Sequence, residues 1–336
     1  MDWIAHIDGH LRESFAVKFL FSPLYLAATV AIAFAVWWLR GRNERFLRFL
    51  MPREVYLHAS SMVDLKVALL NTVVAASGAI TALFMIPIVT ITTLELFTAL
   101  GGGETLTQNV TLAGSIFAAV VLLLTQDFCR YWNHYLHHET RFLWPFHAVH
   151  HSAEVLTPIT FLRAHPVYSA LLALIMSVLI GIAQALVLFV LVGKVEPWVI
   201  FFSTLVFRAH IFFGGHLRHT HIWLSFGPTL EHVLISPAQH QIHHSCDPKH
   251  FDKNYGEIFA IWDWMFGTLY IPDGQEKLEF GLADRNGVRL AQPHPTLRQA
   301  ILGPFAELRD EILKGTARDP ARRSGRQSPD DAGGRL

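Results

Sequence analysis

The chain predicts an all-α, multi-pass helical membrane protein of about four to five transmembrane helices, with a helical, histidine-rich metal domain facing the cytosol. Three observations predict it. Apolar residues make up 52% of the 336 positions and charged residues only 16%, well below the roughly 25% charge of a soluble domain. Apolar stretches recur at about the twenty residues that a helix needs to cross a bilayer core of about 30 Å. Sixteen of the twenty histidines lie between His134 and His250.

The apolar stretches run over residues 19–39, 73–98, 110–128, 167–192 and 197–213. Pro87 interrupts the second and predicts a kink there. The fourth and fifth are separated only by Gly193-Lys194-Val195-Glu196, which reads as a tight helical hairpin. The run beginning near Phe19 is too long for a signal-peptide core, so none is expected. Orientation follows from the loop charges. Arg12 and Lys18 precede the first stretch, whereas Arg40, Arg42, Arg45, Arg48 and Arg53 follow it, which puts the following segment in the cytoplasm. Counting on from there leaves the Gly101-Gly102-Gly103 loop and the 193–196 loop outside. Residues 129–166 and 214–336 then lie inside, so all the histidine groups share the cytoplasmic side.

Beyond the stretches, Ser236-Pro237 reads as an N-cap followed by a first-turn proline, opening a helix that carries His240, His243 and His244 on one stripe. Residues 296–314 read as a peripheral amphipathic helix with Leu297, Ile301, Leu302, Phe305, Leu308 and Ile312 on one side. From about Thr316 the chain is rich in Arg, Asp, Gly and Ser and is expected to be disordered. The organisation expected is an N-terminal transmembrane region over 1–114, a histidine-rich domain over 115–270, a peripheral segment over 271–315 and a tail over 316–336.

The histidine groups are His134-Tyr135-Leu136-His137-His138, His147-Ala148-Val149-His150-His151 and His240-Gln241-Ile242-His243-His244. Helical residues three and four apart share a face, so each group can aim two or three imidazoles at one point. Neutral imidazole is the commonest ligand for a transition metal, and eight or more are too many for one ion, which calls for a polynuclear centre. Ligation this rich in nitrogen, without Glu-x-x-His pairs, differs from the soluble di-iron bundles but still suits iron, zinc or copper. Asp127, Glu139, Glu154, Asp247 and Asp263 are within sequence reach to accept the far N–H of a ligand histidine. Asp263, between two tryptophans, could equally cap a helix. Cys129 and Cys246 form no CxxC pair, so neither a disulfide framework nor an iron–sulfur site is encoded. A formal charge of zero with no basic patch leaves no footprint for nucleic acid.

The residues around the histidines carry a further pattern. Asp127-Phe128-Cys129-Arg130-Tyr131-Trp132-Asn133-His134, Trp144-Pro145-Phe146-HxxHH-Ser152, Arg163-Ala164-His165-Pro166, Pro237-Ala238-Gln239-HxxHH-Ser245, Asn254-Tyr255-Gly256 and Trp262-Asp263-Trp264-Met265-Phe266-Gly267-Thr268 follow in order. Together, over residues 115–270, they resemble the membrane-bound fatty acid hydroxylase/sterol desaturase superfamily. The resemblance implies a di-iron catalytic domain that uses dioxygen and two electrons to hydroxylate a lipid or sterol-like C–H bond, or to desaturate it. Carried over position by position, it implies iron ligands at His134, His138, His147, His150, His151, His240, His243 and His244. It also implies one ligand from among His210, His216, His219 and His221, with His219 fitting best and His216 next. His165 stays open between ligand, substrate contact and support of a ligand.

No dinucleotide fingerprint, cysteine cluster or haem motif is present, so the electrons are expected from an external donor such as a ferredoxin, a cytochrome b5-like protein or a reductase. His6, His10, His58, His232, His250 and His294 read as ordinary side chains, and His137 lies off the His134/His138 face. Trp262, Trp264 and Phe266 read as packing. Two other functions compete. A membrane zinc hydrolase would want the HExxH pairing that is missing after His138-Glu139, and a metal transporter would want its histidines inside the spans.

Overall fold

A computed structural model describes residues 23–101, 111–191 and 215–316. The expected 197–213 stretch, the 193–196 loop, Gly102, Gly103, His6, His10, His210 and the tail beyond 316 lie outside these residues, as does the side chain of His216.

The described residues are nearly all helical and contain no strand, only the isolated bridges Leu234 to Phe259, Ser245 to Phe280 and Ala283 to Arg289. Helix α1 is Pro23–Leu39, α2 Ala59–Ala76, α3 Ile86–Leu100, α4 Leu112–Glu139, α5 Trp144–His151 and α6 Pro166–Leu191. After them come the short α7 Pro237–His243 and α8 Ile261–Phe266, then α9 Leu297–Thr316. Among the described residues, four helices are long and apolar enough to cross a membrane: α2, the stretch Thr81–Leu100 that includes α3, α4 and α6. The apolar α1 is shorter, at 17 described residues.

One expected element is corrected. The stretch 73–98 is the end of one helix and most of another, with the break at Ser77–Met85. Gly78 takes a positive φ of 74°, a conformation open to glycine, and the Ser77 hydroxyl accepts from the Ala79 N–H at 3.3 Å. Pro87 does not kink a helix; it sits in the first turn of α3, where its missing N–H costs nothing. The backbone N–H of Met85, the N-cap of α3, donates to the Ser177 hydroxyl of α6 at 2.8 Å. The preceding helix, α2, carries Ser60, Ser61, Asp64, Lys66 and Asn71, and these dilute its hydropathy enough to hide it from a search for apolar runs.

Helix α4 continues eleven residues past the expected end at 128, so His134 and His138 ride on the last turns of a membrane-length helix. Its upper half packs Ala118, Ala119 and Leu122 against Val187 of α6. Helix α6 also lies along α3, closely enough that a Cβ at Gly181 would meet Val89 at 2.6 Å. The remaining elements form a polar layer at one end of these helices. There α5 and α9 pack on each other, α2 packs on the 3-10 turn Pro158–Leu162, and α7 packs on the turn Gly215–His219. At the centre of the layer, Val149 of α5 joins Val63 and Val67 of α2 and Ala300 of α9 in one buried cluster.

The layer is pinned to α2 by a buried ion pair. Arg163 and Asp64 are both fully buried, with Arg163 Nη1 2.9 Å from Asp64 Oδ1. The same guanidinium donates to the Val149 carbonyl at 2.8 Å, the Ser60 carbonyl at 3.2 Å and the Ser152 hydroxyl at 2.8 Å. One side chain therefore ties together α2 and both ends of the His150-His151 segment.

Candidate metal centre

Three short helical pieces and one 3-10 turn deliver the imidazoles. His134 and His138 are one turn apart on α4, His147, His150 and His151 share α5, and His240 and His243 lie on α7 with His244 as its C-cap. Helix α7 is only seven residues long and is held at its start by a capping box. The Ser236 hydroxyl accepts from Gln239 N at 3.2 Å and the Gln239 side chain accepts from Ser236 N at 3.0 Å. His219 comes from the turn Gly215–His219.

These nine side chains meet in two groups. One holds His134, His138, His147, His151 and His243; the other holds His150, His219, His240 and His244. Within each group every residue offers a nitrogen within 4.8 Å of the others. The Nε2 atoms of His138, His151 and His147 follow one another at 3.2 Å. In the second group, His219 Nε2 lies 3.1 Å from that of His150, 2.9 Å from His240 and 3.2 Å from His244. The two groups are themselves adjacent, the His151 and His244 rings stacking at 4.4 Å.

Two imidazoles have their tautomer set by the backbone. A carbonyl can only accept, so His134 Nδ1, 2.8 Å from the Tyr255 oxygen, and His243 Nδ1, 2.7 Å from the Lys253 oxygen, both carry the proton. Their Nε2 atoms are then lone pairs, buried, without a hydrogen-bond partner and turned toward the first group. Burial without a partner is costly for a polar atom. The wider cluster is also held neutral. Burial, with the neighbouring histidines second, pushes His147, His151, His219, His240 and His244 well below the ordinary imidazole range. Burial likewise takes His150 and His243 down to about 3. Converging neutral imidazoles with unsatisfied lone pairs are the donor set of a transition-metal centre, and they fit a pair of cations.

Several candidate residues stand elsewhere. His165 is buried, but Val167 N donates to its Nδ1 at 3.2 Å and its Nε2 bonds the Ile301 carbonyl at 3.1 Å, so it joins α6 to α9 and not the cluster. His221 bonds the Phe49 carbonyl at 2.6 Å. Asp127 accepts from Ile258 N, Phe259 N and Trp262 Nε1 at 2.9–3.1 Å. Asp263 accepts from Tyr255 N at 2.8 Å, Gly256 N at 2.7 Å and Thr268 Oγ1 at 2.6 Å. Neither carboxylate takes an imidazole N–H. Both hold the loop whose Tyr255 carbonyl orients His134, one step further out than expected. Asp247 caps the Lys249 N–H at 3.1 Å and Glu154 accepts from Arg289. His137, expected off the ligand face, is fully buried and bonds the Asn133 carbonyl at 2.8 Å. Sequence reasoning did not find the Tyr255 and Lys253 carbonyls, because a backbone acceptor leaves no residue-type signal. The Asn254-Tyr255-Gly256 motif was the trace of one of them.

Two cavities reach the cluster. One, of about 330 Å³, touches His134, His147, His150, His219 and His240 and runs between Val74, Ala75, Ile80, Phe161, Leu162 and Leu172. The other, of about 660 Å³, touches His138, His151 and His243 and is bordered by Glu139, Arg141, Asp252, Asp284 and Arg285. The centre is thus open to an apolar passage on one side and a polar one on the other.

Residues 119–268 match the fatty acid hydroxylase family model. This segment belongs to the fatty acid hydroxylase family. It contains every histidine of both groups. The chain is 34% identical over 166 residues to alkylglycerol monooxygenase of Danio rerio, covering 46% of this chain and 31% of that protein. It is 30% identical to ornithine lipid hydroxylase OlsE of Rhizobium tropici, over 56% of this chain and 54% of that one. It is 28% identical to Delta(7)-sterol 5(6)-desaturase ERG3A of Gibberella zeae, over 47% and 39% respectively. The chain thus spans under a third of the alkylglycerol monooxygenase and about half of the ornithine lipid hydroxylase that it matches. No solved structure matches the chain.

Proposed function

We propose that this chain is a membrane oxidoreductase that hydroxylates a C–H bond of a lipid or sterol-like substrate with dioxygen, at two iron ions held by the nine clustered histidines. The observation that carries this is the convergence of nine imidazoles, eight of them buried, in two adjacent groups. In the reaction one oxygen atom enters the C–H bond and the other leaves as water, with two electrons and two protons from an external donor. Bound iron supplies the dioxygen chemistry. The chain itself positions the ligands: Tyr255 and Lys253 hold His134 and His243 by their carbonyls, and Arg163 holds the α5 segment. The apolar-walled cavity takes the substrate and keeps water from the reacting carbon, while the polar cavity serves the aqueous side. The arginines after α1 favour a cytoplasmic location for this layer. Similarity to a sterol desaturase supports removal of a second hydrogen as the alternative outcome at the same centre.

Metal analysis of anaerobically purified protein, paired with lipidomics of cells making the intact chain or a His147→Ala/His243→Ala variant, tests the proposal. Two irons per chain and a lipid gaining one oxygen only with the intact chain are expected; loss of two hydrogens would indicate desaturation. Zinc alone, with hydrolytic activity, would overturn it.

A further inference from the structure

Helix α8 has two unlike sides. Asp263 is fully buried, whereas its neighbours Trp264 and Met265 are each 67% exposed and Phe266 is exposed as well. Of the aromatic residues expected to pack, Trp262 sets its ring 5.1 Å from that of Phe128 on α4, but Trp264 does not follow it inward. The exposed patch extends to Leu230 and Val233. The Val233 carbonyl accepts from the Ala260 N–H at 2.9 Å, and the His232 ring lies 6.5 Å from that of Trp264. Large apolar side chains exposed this close together mark an interaction surface, unlike ones scattered singly.

The seat of α8 on α4 decides what covers that surface. The Phe266 ring packs on those of Tyr131 and Trp132, with centroids 5.5 and 6.0 Å away. A helix needs roughly twenty residues to cross a bilayer core of about 30 Å, and that count taken from Leu112, where α4 begins, ends at these two residues. Within the crossing, α4 exposes Phe117 and Val120, which share a helix face with Phe128. The patch therefore continues a lipid-facing stripe, at the depth where the hydrocarbon ends and tryptophan is favoured. We propose that Trp264, Met265 and Phe266, flanked by Leu230 and Val233, enter the headgroup region of the bilayer and anchor the histidine-rich layer to the membrane surface. This rests on the membrane-spanning fold and not on the proposed oxidising centre. Its consequence reaches the imidazoles. On the buried side of the same turn, Asp263 accepts from Tyr255 N and Gly256 N, and the Thr268 carbonyl just after α8 accepts from the Asn254 N–H at 2.9 Å. The loop held in this way supplies the Lys253 and Tyr255 carbonyls that orient His243 and His134. One six-residue helix thus joins the lipid surface to the tautomers of two imidazoles.

The test uses the full chain in phosphatidylcholine nanodiscs, carrying Trp264→Cys, Met265→Cys or, at the exposed turn next to Arg285 of the polar cavity, Asn286→Cys. Cys129 and Cys246 are both buried, so an environment-sensitive thiol fluorophore reports the introduced position. Lipids bearing a nitroxide near the headgroup, or near the end of the acyl chain, read its depth. A segment of this kind sits roughly 5–10 Å into the boundary of headgroups and acyl chains. Both α8 labels are therefore expected to emit to the blue of the Asn286→Cys label and to be quenched by the shallow nitroxide about threefold more strongly than it, or more. The deep nitroxide should quench them less than the shallow one. Quenching no stronger than at Asn286→Cys would overturn the proposal, because the tip would then face water. Blue emission without quenching by either lipid would overturn it too, since protein, from a second copy or another segment of the chain, would be the cover. Stronger quenching by the deep nitroxide would also overturn it, placing the tip inside the hydrocarbon and not at its edge.

Discussion

Arg163→Met should be among the most damaging substitutions outside the histidines. The guanidinium is fully buried and makes contacts with Asp64, Ser60, Ser152 and the Val149 carbonyl at 2.8–3.2 Å. Methionine approximates the volume of the aliphatic stem but supplies no donor. It would leave the Asp64 carboxylate in the interior with only the neutral hydroxyls of Thr160 and Thr157 beside it. Removing one member of such a pair costs about 3–5 kcal/mol, whereas replacing both by apolar residues of similar volume is often neutral. Arg163→Met alone should therefore lower unfolding stability by about 3–5 kcal/mol. Asp64→Leu/Arg163→Met should recover most of it, giving a coupling of about 2 kcal/mol or more in a double-mutant cycle. The assay is denaturant or thermal unfolding in detergent, followed by tryptophan fluorescence. A single variant costing under about 1 kcal/mol, or a double variant no better than the single, would refute the role given to this pair.

Other outcomes follow from the same geometry. His150 and His243 are pushed to about 3 in the folded protein against about 6.5 unfolded. Their contribution is therefore full above about pH 6.5 and lost as pH falls, about 2 kcal/mol each by pH 5. Metal-free protein melted between pH 7.5 and 5 should show the decline, and a flat melting temperature would contradict it. Gly256→Ala places a Cβ 2.7 Å from the Phe259 carbonyl and 2.8 Å from Asp263 Oδ2. It should cost about 1–3 kcal/mol and reduce metal retention by moving the neighbouring Tyr255 carbonyl, measurable by elemental analysis after dialysis. Ser236→Ala removes the cap of α7 and should cost about 1 kcal/mol, with the melting temperature as the check.

The long apolar helices were legible because their composition alone forces them into a bilayer, as with α6, expected over 167–192 and found at Pro166–Leu191. The break at Ser77–Met85 was not, because the residues around it are apolar on both sides and a hydropathy window runs straight across. Helix α2 was hidden for the converse reason: Ser60 and Asp64 make it polar, and only the distant Arg163 explains why they are buried. The α7 start at Ser236-Pro237 was readable from local chemistry. Histidine spacing named the imidazoles that could converge, since i, i+3 and i+4 positions share a helix face. It did not reveal which groups hold the far ring nitrogens. Carboxylates were the natural expectation, yet the visible anchors are the Tyr255 and Lys253 carbonyls, and Asp127 and Asp263 act on the loop instead.

The anchoring of His134 by Tyr255 also fixes an order of events during synthesis. The two residues are 121 positions apart, and His150 meets His219 across 69. An emerging chain presents α4 and α5 long before the turn at His219, the imidazoles of α7 and the loop that follows them. Until residue 244 has left the ribosome the nine imidazoles are incomplete, and until residue 255 follows, His134 has no fixed tautomer. Metal insertion at the proposed centre would therefore be a late step, and truncations ending before Tyr255 should reach the membrane without a finished centre.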